Sequence, residues 1–307
     1  HGTRDVVAAH ADRNGNAASQ PDVKMDMYKW LADQLSHLGY ASFRYDKLGS
    51  GATAWGPYTE REASKISFEK SLLLEAQDAL AYLARQPGVD PSELVIVGHS
   101  EGGMIALAVA DDPGTAPRPA RLALVEPLPI PILELIKWQL AAQVDGAATA
   151  GAISPTDRSA LRNWLTVGID ELRQEIQFSH RPPPLPNATG ATAGLQDAIE
   201  HYVYNPTTST LRRTENHFDP RTLAAADDAP ASVLVTCGTK DITTPCSMIE
   251  SLATAFPPGL ADLAVIPDMV HVLRDIGDAD PETTTLDELL NYPYSQRLAE
   301  ALAGFLG

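Results

Sequence analysis

Positive charge, cysteine and long apolar runs are all scarce in this 307-residue sequence. Lysine and arginine total 23 against 40 aspartates and glutamates, a formal charge of −17. A surface so acidic repels nucleic acid and anionic lipid, so neither is expected as a partner. The acidity is read first as a means of staying soluble and second as a preference for a cationic substrate. No stretch approaches the roughly 18 uninterrupted apolar residues of a membrane helix, so no membrane span is expected. No internal repeat is present. No signal peptide is visible, and with no initiator Met ahead of His1-Gly2 the N-terminus assigns no compartment.

The only cysteines are Cys237 and Cys246, and no histidine lies at zinc-ligand spacing from them. Two readings stay open. Cys237 ends an apolar run, where a buried thiol packs as a small hydrophobe. Alternatively, a disulfide staples the loop between the two, which would suit an oxidising compartment. The chain is read as soluble, either secreted or cytoplasmic, with a disulfide favouring secretion.

With 44% hydrophobic residues, the chain is long enough for one large α/β domain with an insertion, or for two modest domains. Residues 22–38 place Met25, Met27, Trp30, Leu31, Leu35 and Leu38 at helical spacing before Gly39. Tyr40 to Tyr45 reads as a short strand, and Asp46 to Gly51 as a glycine-rich turn. A helix over Ser67–Gln86 precedes the β-branched run Leu94–Val97, whose lack of polar alternation suits a strand buried on both faces. Helix Glu101–Ala110 and strand Arg121–Val125 follow. The alternation resumes with strand Ser232–Thr236, a helix over 246–255, strand Asp262–Ile266 and a final helix over 286–305. Such alternation predicts an α/β fold, a mostly parallel sheet flanked by helices.

Between Pro127 and Pro230 the pattern lapses into helical patches at Ile132–Val144, Pro155–Thr166 and Ile169–Phe178, joined by Ala/Gly-rich and Pro-rich stretches. Residues 128–229 are therefore expected to form an inserted helical cap, with 1–127 and 230–307 as the core. Arg181 to Pro186 reads as a stiff connector rather than a polyproline ligand.

Gly98-His99-Ser100-Glu101-Gly102 matches Gly-x-Ser-x-Gly, a pattern that chance supplies about 0.1 times in a chain this long. Its setting is more telling: it directly follows a buried strand and directly opens a helix, as a nucleophile elbow does. Side chains at Gly98 or Gly102 are expected to collide with the neighbouring strand and helix. A serine at a helix N-terminus also meets partial positive charge and N–H groups that favour an oxyanion, with the Glu101 N–H as the natural donor.

A serine nucleophile needs a base, and the base needs an acid to fix its tautomer. Of the eight histidines, only His271 follows the last strand; His99 is expected to point away from the nucleophile. Asp241, after strand Ser232–Thr236, is the leading acid, with Glu126, Asp268 and Asp275 as rivals. The order Ser100, Asp241, His271 is that of the α/β-hydrolases.

The chain resembles the α/β-hydrolase superfamily, and within it the esterase and serine-aminopeptidase-like branch. Phe43-Arg44-Tyr45-Asp46-Lys47-Leu48-Gly49-Ser50-Gly51 is similar to that branch's Arg-Tyr-Asp-Lys-Arg-Gly-x-Gly, and Asp12-Arg13-Asn14-Gly15-Asn16 to its Asp-Arg-Asp-Gly-Asn. Leu48 stands where Arg is usual and Val270 where Asn is usual. The resemblance implies ester hydrolysis of a small-molecule acyl substrate through an acyl-enzyme, with no metal or organic cofactor. His1-Gly2 resembles the family's His-Gly after the third strand, which implies Thr3 as second oxyanion donor. It also implies that the strands before that point are missing here, leaving the sheet short on one side. Trp138 and Trp164 of the cap, with Ile132, Leu135 and Leu140, are expected to line an acyl pocket or simply to pack helices. Arg13, Asp46 and Lys47 are expected to frame the pocket or to pin its loops. Two rival functions are a peptidase using Glu134, Asp170, Glu171 or Glu175 to hold a free amino terminus, and a non-catalytic binding protein.

Overall fold

The computed structural model describes residues 13–14, 24–174, 183–186, 188–226 and 232–307. Helix α1 spans Met27–His37, α2 Glu60–Ala63, and α3 Leu74–Ala84 after a wider turn at Glu69–Leu73. Strand β1 is Val95–His99, followed by α4 (Glu101–Asp111) and β2 (Arg121–Val125). Helices α5 (Ile132–Thr149), α6 (Pro155–Arg173), α7 (Gly190–Tyr202), α8 (Ser209–Glu215) and α9 (Pro220–Ala224) come next. Then follow β3 (Ser232–Gly238), α10 (Cys246–Ala253), β4 (Ala261–Ile266), α11 (Leu286–Leu289) and α12 (Gln296–Leu306).

The strands form one parallel sheet in the order β1-β2-β3-β4. Side chains alternate across a strand, and the two cores follow from that period of two. Leu122, Leu124, Val233 and Val235 face one way and pack with Leu107, Ile249 and Leu252 from α4 and α10. Ala123, Val125 and Leu234 face the other way, against Leu31, Leu298 and Leu302 from α1 and α12. Each such fully buried aliphatic contributes roughly 1.5–3 kcal/mol. Register pairs His99 with Val125, Val125 with Thr236 and Gly238 with Ile266. The carboxyl ends of all four strands therefore share one edge, where open α/β sheets place their ligands.

Among the described residues β1 is an end strand, and its Val95, Ile96 and Val97 are half-buried rather than enclosed on both faces. The strand expected over Tyr40–Tyr45 does not form: among the described residues no strand pairs with it. Its Ser42 and Arg44 instead share with Val95 and Val97 the walls of a cavity of about 450 Å³. The final helix is two, α11 and α12: Pro293 lies between them, and Ser295 caps α12 by accepting from the Leu298 N–H.

The chain divides into two compact units. One comprises His1–Pro57, Glu69–Ile130 and Phe218–Gly307 and contains the sheet; the other, Tyr58–Phe68 and Pro131–His217, is helical. The helical unit has its own core, built on Leu133, Leu140, Leu161, Leu165 and Ile199. Helix α6 runs unbroken through Gly168, where two separate patches were expected. That glycine admits a close approach: a Cβ there would lie 2.7 Å from the Tyr204 ring. Arg212 and Glu215 form a buried ion pair at 2.8 Å in the same unit. Among the described residues no helix is long and apolar enough to cross a membrane.

Candidate active site

Ser100 sits between β1 and α4 with φ 55 and ψ −123, a conformation that side chains other than glycine seldom adopt. Such strain costs on the order of 1–3 kcal/mol and persists only where the surroundings enforce it. Here the Ser100 N–H donates to the Val125 carbonyl at 3.0 Å, while its own carbonyl accepts from Gly103 and Leu128 N–H at 2.9 and 3.0 Å. Gly98 is required by close approach, since a Cβ would lie 2.6 Å from the Gly102 carbonyl carbon. The matching expectation for Gly102 is corrected: a Cβ there meets nothing within 4 Å. It is Gly103 that is crowded, with a Cβ falling 2.6 Å from Pro127 Cβ.

His271 lies in the loop after β4, between two further residues in the left-handed region, Asp268 (φ 63) and Leu273 (φ 63). Hydrogen bonds from Val270 N–H to Arg274 O and from Lys240 N–H to Met269 O, at 3.0 and 3.1 Å, hold that loop against the β3 end. The fold brings His271 Nε2 to 3.0 Å from Ser100 Oγ and His271 Nδ1 to 2.7 Å from Asp241 Oδ2. A carboxylate only accepts, so Nδ1 carries the proton and Nε2 is left to accept from the serine. All three side chains are buried.

Asp241 closes the β3 turn. Its carboxylate accepts from the N–H groups of Thr243 and Thr244 at 2.7 and 3.0 Å and from Thr244 Oγ1 at 2.8 Å. Burial alone would raise its pKa, but the His271 charge and hydrogen bond, then the Glu126 side chain and the Thr244 N–H, outweigh it and hold the carboxyl at about 2. Asp268 lies instead beside Arg297, 3.5 Å away at the surface.

Two other buried groups close the site, and neither role was apparent in the sequence. His99 turns from the serine, as expected, but toward the His271 backbone: its Nε2 lies 2.8 Å from the His271 carbonyl, and its Nδ1 3.1 Å from Tyr28 Oη. Burial, and then the His271 charge, push the His99 pKa down to about 3. Glu126, in the left-handed region at φ 46 just after β2, is fully buried and accepts from the Gly238 N–H at 2.8 Å and from Thr236 Oγ1 at 3.2 Å.

A family model of the alpha/beta hydrolases matches residues 15–305. The chain belongs to the alpha/beta hydrolase family. No curated protein matches the sequence. Among solved structures, a hydrolase from Pseudomonas aeruginosa PA01 is 22% identical over 92% of this chain and 85% of that one, with a TM-score of 0.42. An esterase from Exiguobacterium antarcticum is 16% identical over 92% and 87%, TM-score 0.46. The enol-lactonase of Burkholderia xenovorans LB400 is 22% identical over 87% and 86%, TM-score 0.40. Likeness at this level concerns the fold alone. Family membership supports a hydrolase.

In this alpha/beta hydrolase the remaining candidates fall as follows. The Glu101 N–H stands in the first turn of α4, and the Glu101 carboxylate, itself buried, pairs with Lys47 at 3.2 Å. Thr3 lies outside the described residues. Arg13 pins a loop: its N–H donates to Asp46 Oδ1 at 2.6 Å, and its side chain, more than half exposed, stays 3.9 Å from the same carboxylate. Burial would raise the Asp46 carboxyl, but the Arg13 and Ala52 N–H donors and the Arg13 charge hold it below the usual range. Arg13 and Lys47 also line the 450 Å³ cavity, whose walls do not include Ser100, Asp241 or His271. Trp164 is stacked on Tyr204 at 5.1 Å within the helical unit's core, and Trp138 is half-buried in the same unit. Cys237 and Cys246 are joined in a disulfide across the Asp241 turn. Among the described residues no three His, Cys, Asp or Glu side chains gather as a metal site.

Proposed function

We propose that the protein is a serine hydrolase that cleaves carboxylic esters through an acyl-enzyme. The observation that carries this reading is the Ser100–His271–Asp241 chain, with links of 3.0 and 2.7 Å at the carboxyl edge of the sheet. Ser100 Oγ attacks the acyl carbonyl as its proton passes to His271 Nε2; ionised Asp241 stabilises the imidazolium that results. The Glu101 N–H, aided by the α4 dipole, receives the oxyanion. Thr3 is the proposed second donor. His271 then protonates the leaving alkoxide, and water, activated by the same histidine, releases the acid and restores Ser100. The helical unit is proposed as the cap that selects the acyl group, with Trp138 the more accessible of its two tryptophans.

The ester reading is favoured over a peptidase because three of the four acids suggested for an amine site are otherwise engaged; the fourth, Glu175, lies outside the described residues. Glu134 and Asp170 both pair with Arg173, and Glu171 is buried. A p-nitrophenyl ester chain-length series, run beside aminoacyl-p-nitroanilides on wild type and Ser100→Ala, tests the proposal. Ester turnover lost in Ser100→Ala is expected; a preference for anilides would reassign the substrate class.

A further inference from the structure

We propose that Glu126 is a positioning residue that holds a proton at neutral pH and donates it to Asp241, extending the triad of the proposed function into a four-membered chain. The observation behind this is a pair of buried carboxyl groups with unequal hydrogen-bond support. Asp241 receives four donors: the Thr243 and Thr244 N–H groups, Thr244 Oγ1 and His271 Nδ1, all between 2.7 and 3.0 Å. Glu126 receives two, from the Gly238 N–H and Thr236 Oγ1. The turn after β3 brings the two residues together: Gly238, whose N–H donates to Glu126, accepts at its carbonyl from the Asp241 N–H at 3.1 Å, and Thr244 Oγ1 lies 2.8 Å from Asp241 Oδ2 and 3.4 Å from the Glu126 carbonyl. A hydrogen bond between the two carboxyl groups requires one proton between them, because two carboxylates offer only lone pairs.

Two negative charges in contact and out of water repel strongly, so only one of the pair ionises. The charge goes to the member with more donors, Asp241, and the proton to the member with fewer, Glu126. The titratable groups that Glu126 faces are Asp241 and, beyond it, His271. Burial, then the Asp241 charge, raise the Glu126 carboxyl well above the usual range. The backbone is arranged for this placement. Glu126 sits at φ 46, its N–H 3.4 Å from Thr236 Oγ1 and its carbonyl 3.4 Å from Thr244 Oγ1, so its backbone is held between β3 and the turn that carries Asp241. The consequence is a single negative charge behind His271 and a fifth donor fixing the Asp241 carboxylate.

Infrared difference spectra of wild type minus Glu126→Gln at neutral pH test the protonation directly. A carboxylic-acid C=O band present in wild type and missing in the variant is expected; a carboxylate signal alone overturns the proposal. This readout needs no substrate, so it stands even if the ester assignment fails. Kinetically, Glu126→Leu, which cannot donate, should lose about tenfold or more in kcat with little change in KM. Glu126→Gln, which keeps a neutral donor, should recover most of that loss and leave the acid limb of the pH–rate profile in place. An acid limb displaced by about one pH unit in Glu126→Gln would mean that a charge had been removed, and would overturn the proposal.

Discussion

His99 ties Tyr28 to the main chain of His271. A carbonyl accepts and a phenol donates, so His99 Nε2–H gives to the His271 carbonyl and Nδ1 receives from Tyr28 Oη. Both ring nitrogens are used by the neutral imidazole, and protonation would require Tyr28 Oη to turn from donor to acceptor and would place a charge out of water.

That arrangement has a pH signature. His99 is held at about 3, against an ordinary value of 6.5. Between those values the unfolded chain binds more protons than the folded one, so the His99 contribution to stability is present above about 6.5 and is lost as pH falls toward 3. The loss approaches about 1.4 kcal/mol per pH unit. Urea unfolding at several acidic pH values should therefore show wild type losing stability relative to His99→Gln, whose side chain cannot gain the proton. Parallel curves would contradict a neutral, buried His99.

The two motif glycines should behave oppositely. Gly98→Ala places a Cβ against the Gly102 carbonyl and is expected to destabilise by about 3 kcal/mol or more, if it folds at all. Gly102→Ala, which meets open space within α4, should stabilise by about 0.5–1 kcal/mol. Thermal melts of the two variants check both signs.

Cys237 and Cys246 lie nine residues apart with Cα atoms 5.2 Å from each other. Closing so short a loop is worth about 2–3 kcal/mol. Cys246→Ser should lower the urea midpoint accordingly, and alkylation followed by mass measurement should find two thiols only after reduction. Two thiols labelled without reductant would contradict the bond.

Removing the acid should cost more than removing its neighbour. Asp241→Asn leaves the His271 ring in the wrong tautomer, and kcat should fall by about 10⁴-fold; Glu126→Gln should fall far less. The reverse ranking of kcat values would move the acid to Glu126.

The sheet and the elbow were legible because each rests on local pattern: runs of β-branched residues, and a serine that directly follows a strand and directly opens a helix; the candidates Asp241 and His271 stood out as polar residues in the loops after the last two strands. What escaped depends on partners distant in sequence. Gly168 looks like a helix break until Tyr204 is seen packed against it. Tyr40–Tyr45 has strand composition, yet a strand exists only where a neighbour pairs with it. Helices α7, α8 and α9 lay in Ala/Gly- and Pro-rich sequence whose periodicity is weak. Glu126 was legible as a rival acid but not as a companion to Asp241, since nothing in the spacing of 126 and 241 reveals a shared proton. His99 was read as turned from Ser100, and its bond to a backbone carbonyl leaves no mark in side-chain patterns.

Ser100 is the proposed nucleophile. The most direct test of that role is intact-mass and peptide mass spectrometry after treatment with a fluorophosphonate, alongside the burst of p-nitrophenol from a p-nitrophenyl ester. One adduct is expected, on the peptide containing Ser100, with neither adduct nor burst in Ser100→Ala. A Ser100→Ala protein that still forms the adduct elsewhere and hydrolyses the ester at the wild-type rate would contradict that role.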